Sequence, residues 1–220
     1  MGKKVEKLLE ELEERVKYFS QLGMEFIPSS SPSQESRYLS LNEKILHCQE
    51  CPLAQTRKNA VPGEGNLGAE LVFIGEAPGR DEDIQGRPFV GRAGKLLTKI
   101  INAMQFERED VYIANIIKCR PPENRTPHKG EIEKCQSYLL QQLEMIKPRV
   151  IVTLGRVAAD FFIRSSLGMT ALRGNFHEFG NTRVMPTFHP SYLIRNEGNK
   201  AIRKMVWEDM QKVMAFLGKK

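Results

Sequence analysis

Hydrophobic positions mark out four short runs separated by longer amphipathic stretches. The runs are ELVFIG (70–75), DVYIANII (110–117), RVIVTLG (149–155) and TRVMPTF (182–188), each rich in β-branched or aromatic residues. Runs of this length and composition predict strands. Between and after the first three, GKLLTKIINAM, KGEIEKCQSYLLQQLEMI and RVAADFFIRS follow the helical repeat, and a last helix is expected over 199–217. Strands alternating with helices predict the α/β class, as a three-layer α/β/α sandwich around a central, mostly parallel four-stranded sheet. FHEFGNTRVMPTF, turning at Gly180 and Asn181, predicts a hairpin into the last strand. Ligands of such sheets sit beyond the carboxyl ends of the strands, which singles out the loops after Ile74, Ile117, Leu154 and Phe188.

Ahead of this body, Val5, Leu8, Leu9, Leu12, Val16, Phe19 and Leu22 recur at three- and four-residue steps, the stripe of an amphipathic helix. PSSSPSQES (28–36) has the composition of an exposed linker. The expected division is therefore 1–38, an N-terminal helical extension with its linker, and 39–220, a single domain. The stripe must dock, either on its own domain or on a partner. Ser40 and Glu43 make a capping-box pattern for a short helix running into Cys48.

Composition narrows the function classes. No apolar run reaches the roughly 18 residues of a membrane span, and the charged N-terminus is unlike a secretory signal. A soluble, intracellular protein is expected, with no membrane partner. Net charge is +6; residues 1–38 hold six Lys and Arg against seven Glu, so the remainder carries +7. A basic body suits a polyanionic partner.

Cys48 and Cys51 form a CxxC, Cys119 follows the second strand, and Cys135 lies in the next helix. In a reducing compartment four such thiols favour metal over disulfide. Zinc and an iron–sulfur cluster both take four sulfur ligands, and the loose second pair tilts the reading toward a cluster. Four unrelated buried cysteines are the plainer alternative.

GEAPGRDEDIQGRPFVGRAG (75–94) leaves the first strand with five glycines, two prolines and Phe89 in polar surroundings. Together with NIIKCRPPENRTP, HPSYLIR and the four cysteines, it resembles the family 4, iron–sulfur, uracil-DNA glycosylases over roughly residues 39 to 217. The resemblance implies an enzyme of base excision repair that flips uracil out of DNA, hydrolyses its N-glycosidic bond and leaves an abasic site. It implies a 4Fe–4S cluster on Cys48, Cys51, Cys119 and Cys135, uracil-containing DNA, single- or double-stranded, as the partner, a monomer, and a prokaryotic cytosolic, nucleoid-associated location. A repair partner could engage the N-terminal helix.

Each residue then has an expected role. The resemblance makes Phe89 the aromatic lid on uracil, with the backbone of Glu76, Ala77, Pro78 and Gly79 lining the base; the alternative is Phe89 as a core plug. Asn115, ending the second strand, accepts from uracil N3–H and donates to O4, a pattern cytosine mismatches. His189 aims a donor at O2, where charge develops in the transition state, an interaction of about 3 to 4 kcal/mol. The resemblance also makes Glu76 the group that positions water and Glu82 the one shaping the pocket near C5. The better-known branch of the superfamily it resembles places an aspartate where this chain has Ala77 and a tyrosine where it has Gly79. PSYLIRNEGNK resembles a loop that inserts into the duplex, with Tyr192, Leu193 or Ile194 as wedge, and Arg92, Arg195, Lys200, Arg203 and Lys204 near phosphates. The chain lacks the basic, histidine-bearing insertion of covalent-trapping relatives, so turnover is expected. GEAPG has no lysine, which implies a monofunctional enzyme, although Lys118 is close in sequence. A non-catalytic DNA-binding module of the same fold and a zinc-dependent amide hydrolase are the competing readings.

Overall fold

A computed structural model describes residues 14, 17, 18, 20–22 and 32–219. Most of the N-terminal amphipathic stripe, and residues 28–31 of the Ser/Pro linker, lie outside the described residues. The chain divides into two units, 1–33 and 34–220. The boundary expected after residue 38 falls inside a helix, α1 (Gln34–Leu46), which begins six residues before Ser40. Its start is held by tertiary contacts, since Gln34 Nε2 donates to Leu67 O and Met145 O. Leu41 and Ile45 are its buried face, packed beside Tyr38. A one-turn helix, α2 (Leu53–Thr56), follows the CxxC.

The described residues form one six-stranded sheet in the order β1-β3-β2-β4-β6-β5. Its parallel centre is β2 (Leu71–Gly75), β3 (Tyr112–Asn115), β4 (Val150–Leu154) and β6 (Thr182–Thr187), the four expected strands. Two short antiparallel edges complete it: β1 (Glu64–Gly65) on β3 and β5 (His177–Phe179) on β6. The β5–β6 hairpin turns at Gly180, whose φ of 57° suits glycine.

Alternation along β2 separates the two cores. Val72 and Ile74 pack toward α5 (Lys129–Ile146) and α6 (Arg156–Phe162) through Leu139, Leu143, Ala158 and Phe162. Leu71 and Phe73 face α4 (Arg92–Ala103) and α9 (Lys200–Phe216), meeting Leu97, Ile101, Met210 and Val213. Both sheet faces are covered, as the buried apolar strands require, and the three-layer sandwich follows. Three short helices, α3 (Arg80–Gln85), α7 (Met169–Leu172) and α8 (Pro190–Arg195), lie in loops near the strand ends.

Candidate active site

The carboxyl ends of the four parallel strands open onto one cleft of about 810 Å³. It is lined by the loop after β2 (Glu76 to Gly79), by Phe89, Asn115 and His189, and by the turns after β3 and β4. Residues far apart in sequence are thus gathered at the place where the topology directs a ligand.

Asn115 pairs in register with Gly75 and is 2 % exposed. Its Oδ1 is buried without a hydrogen-bond partner, a costly state for a core acceptor unless a ligand supplies the donor. Space for that ligand depends on Gly75. A Cβ there would overlap Asn115 Oδ1 and stand 2.6 Å from Phe89 Cζ. Phe89 belongs to the buried apolar core, as the core-plug reading expects, and it also lines the cleft. Its backbone holds φ at 51°, a strained, left-handed conformation for a phenylalanine. Gly94 makes this possible, since a Cβ there would overlap the Phe89 carbonyl.

His189 caps α8 through its own ring. Nδ1 accepts from the Ser191 backbone N–H at 3.1 Å and lies 2.8 Å from Ser191 Oγ. A backbone N–H only donates, so Nδ1 carries no proton and the proton of the neutral ring sits on Nε2. Burial, and less strongly the charge of Arg195, push the imidazole from 6.5 down to about 4. Near pH 7 the ring is therefore neutral, with Nε2–H as its free donor. The ring lies 5.8 Å from that of Phe89, centroid to centroid, with the planes 33° apart. Gly155, at φ 90°, follows β4 closely against the histidine, and a Cβ there would stand 3.1 Å from His189 Cβ.

The two carboxylates differ. Glu76 is partly buried with no side-chain donor among the described residues, and desolvation raises its pKa above 4.5. Glu82 is committed: Oε1 accepts from the N–H groups of Val90 and Gly91 at 2.9 Å each, and Oε2 from Gly79 N–H at 3.1 Å. It ties the loop after β2 to the loop carrying Phe89, and so shapes the cleft through backbone rather than through a free carboxylate. Ala77, Pro78 and Gly79 line the same wall.

The residues expected at DNA also separate. Tyr192 is exposed, lines the cleft and lies 5.1 Å from the Phe188 ring. Leu193 turns inward instead, buried with Ile202 and Val206, because α8 must bury one face against α4 and α9. Arg92, Arg195, Lys200 and Arg203 are exposed around this end of the sheet. Lys118 does not line the cleft. It is 1 % exposed, with Nζ donating to Asn115 O at 3.0 Å and Gln142 Oε1 at 2.7 Å.

Cys48, Cys51, Cys119 and Cys135 line a second, small cavity. Among the described residues, no three His, Cys, Asp or Glu side chains meet closely enough to enclose a single metal ion. N–H groups already point at the sulfurs: Arg57 Nη1 to Cys119 Sγ at 2.8 Å, Lys118 N to Cys135 Sγ at 3.3 Å and Glu50 N to Cys48 Sγ at 3.5 Å. Arg57 also donates to Leu46 O and Cys48 O, joining two cysteine segments. Burial pushes the Cys135 thiol up to about 11 and raises Cys119, against the opposing pull of Lys118 on the first and of Arg57 on the second. The CxxC announced this cavity; the bonds of Arg57 to Cys119 and of Lys118 to Gln142 carried no sequence signal, because those partners are far apart in the chain.

Residues 62–211 match the family model of the uracil DNA glycosylase superfamily. The chain is 49 % identical over 181 residues to the type-4 uracil-DNA glycosylase of Thermotoga maritima, covering 81 % of this chain and 94 % of that protein. It is 46 % identical over 187 residues to that of Saccharolobus solfataricus, covering 81 % and 85 %. With that of Pyrobaculum aerophilum it shares 52 % over 163 residues, covering 70 % and 83 %.

Proposed function

The chain belongs to the uracil DNA glycosylase superfamily, and from that premise we infer that it is a DNA-repair glycosylase that removes uracil from DNA by hydrolysing the N-glycosidic bond. The observation that carries this reading to the site is the buried, unpartnered Oδ1 of Asn115 beside Phe89 in the cleft. Uracil offers N3–H as the missing donor and O4 as the acceptor for the amide; cytosine, unprotonated at N3, leaves the buried oxygen unpaired.

In the mechanism, a flipped deoxyuridine slides its base against the Phe89 ring, with the backbone from Glu76 to Gly79 at its edge. Asn115 fixes the Watson–Crick edge. As the glycosidic bond stretches, negative charge accumulates on uracil O2, and the Nε2–H of neutral His189 donates to it. Because that donor is already oriented by Ser191, little reorganisation is needed when the charge appears. Glu76 carries the negative charge that orients water and attracts the developing oxocarbenium sugar. Lys118 is spent on internal acceptors, which supports a monofunctional enzyme.

The soft four-thiol donor set, ready-made N–H···S donors and a cavity that disfavours bare thiolates fit a 4Fe–4S cluster held by Cys48, Cys51, Cys119 and Cys135. Bound there, the cluster supplies a covalent cross-link among the chain segments that carry these cysteines. The enzyme acts as a monomer in the cytosol; among the described residues no helix is long and apolar enough to cross a membrane.

An end-labelled oligonucleotide with one deoxyuridine tests the reading. Strand cleavage after alkali is expected with the native protein and is slowed by about 10²-fold or more in His189→Ala and Asn115→Ala. Intact DNA despite tight binding would overturn it.

A further inference from the structure

The edge strand β1 stops short of the site, and its register shows what is missing. Glu64 pairs with Ile113 and Gly65 with Tyr112, so extending the ladder two residues sets Pro62 opposite Asn115. Asn66 N–H donates to Val111 O, which fixes the alternation: the positions 66 and 111, 64 and 113, and then 62 and 115 fall on hydrogen-bonded pairs. A residue at 62 would thus donate its N–H to the Asn115 carbonyl. Proline has none. That carbonyl faces away from β2, because it is the flanking residues of β3 that meet β2, with Ile116 N–H donating to Gly75 O. Lys118 Nζ fills the gap, donating to Asn115 O at 3.0 Å and anchored on Gln142 Oε1 at 2.7 Å. Gln142 Nε2 in turn donates to Pro62 O at 2.9 Å, and Val61 N–H to Lys118 O at 2.7 Å, closing the ring.

We propose that Lys118 is a positioning residue for base recognition: it stands in for the ladder N–H that Pro62 lacks and so fixes the backbone from which Asn115 reads the base. A buried lysine on two neutral acceptors is expensive to keep, and this arrangement gives it a task. The same residue gives its N–H to Cys135 Sγ, so the base-reading strand and the cysteine cavity are fastened through one residue. Without the ammonium, the strand end loses this donor, and a shift of about 1 Å at Asn115 is enough to cost on the order of 10²-fold in rate.

This rests on Asn115 reading the base, and a double-mutant cycle separates the two. Single-turnover excision is measured for the native chain, Lys118→Met, Asn115→Ala and the double variant, alongside iron content and thermal midpoint. Lys118→Met is expected to slow excision about 10- to 100-fold and to weaken inhibition by free uracil, while adding less than about threefold on the Asn115→Ala background. Pro62→Ala, which restores an N–H opposite Asn115, is expected to recover part of the loss in Lys118→Met. Equal slowing in both backgrounds would make Lys118 merely structural and overturn the proposal, as would full activity in Lys118→Met. If Asn115→Ala itself excises at the native rate, the reading of the site falls first. Should Lys118→Met not fold, Gln142→Met removes the anchor alone and must show the same dependence on Asn115, in smaller degree, or the proposal fails.

Discussion

Glycine at position 75 shows how much of the site is decided by a single absent atom. Phe89 Cζ and Asn115 Oδ1 both crowd the place where its side chain would be, so Gly75→Ala forces one of them to move. Uracil excision is expected to fall by about 10²-fold or more while the thermal midpoint changes little, and comparison of the two measurements decides it. The titratable pair gives a second prediction. His189 holds its neutral form down to about pH 4, whereas desolvation moves Glu76 above 4.5. The acid limb of the pH–rate profile therefore belongs to Glu76, whose carboxylate must be charged, and Glu76→Gln is expected to lower the rate and remove that limb. A limb that survives in Glu76→Gln would assign it elsewhere. The same depressed histidine pKa has a consequence for stability. As pH falls below 6.5 the unfolded chain protonates His189 while the folded chain does so only near 4, so its contribution to stability declines across that window.

Between elements, carboxylates do the fastening. Glu82 joins two loops through three N–H groups, and Glu82→Ala leaves those donors without their charged acceptor. A loss of about 2 to 5 kcal/mol in urea unfolding is expected, with excision impaired because Phe89 loses its held backbone; unchanged stability would refute the brace. Asp209, fully buried, accepts from Arg173 and from Thr187 Oγ1, the last residue of β6 before Phe188 and His189. Asp209→Ala leaves the partly buried Arg173 guanidinium and the Thr187 hydroxyl without their charged acceptor and is expected to cost about 2 to 4 kcal/mol in the same measurement. None of this was legible in the sequence. The four central strands were, because strands buried on both faces are written as unbroken apolar runs, and so was α5, whose ends matched its pattern. The edge β1 is two residues long, too short to carry a period, whereas β5 was announced by the hairpin turn at Gly180. The start of α1 hid in a Ser/Pro-rich stretch because tertiary contacts of Gln34, rather than local propensity, fix it. The motifs singled out Asn115, Phe89 and His189, which line the candidate cleft; Glu82 was singled out as well, but its partners were not.

At the scale of the molecule, one end of the sheet holds the cleft and presents the cations, and the cysteine cavity fastens segments behind it. Cys119 follows the strand that ends in Asn115, and Cys135 sits on the helix that carries Gln142. Cys119→Ser is expected to lower iron content and thermal midpoint together, and a variant that keeps both would remove the cluster from the account of stability. The charge distribution makes a separate prediction about DNA. The body beyond residue 38 carries +7, with Lys200 and Arg203 exposed where α9 begins. Among the described residues Arg203 has only an exposed, 3.8 Å pairing with Glu197 to give up, a contact that contributes little in water. Such cations bind phosphate by releasing counterions, so the logarithm of affinity falls linearly with the logarithm of salt, by about 0.9 for each phosphate neutralised. Lys200→Ala and Arg203→Ala are each expected to flatten that slope by about 1, and to weaken binding of uracil-containing and uracil-free DNA alike. Asn115→Ala should do the opposite, leaving the slope intact and erasing the preference for uracil. If a lysine or arginine variant changed the preference, or Asn115→Ala changed the slope, the division between cations that hold the strand and a pocket that reads the base would fail.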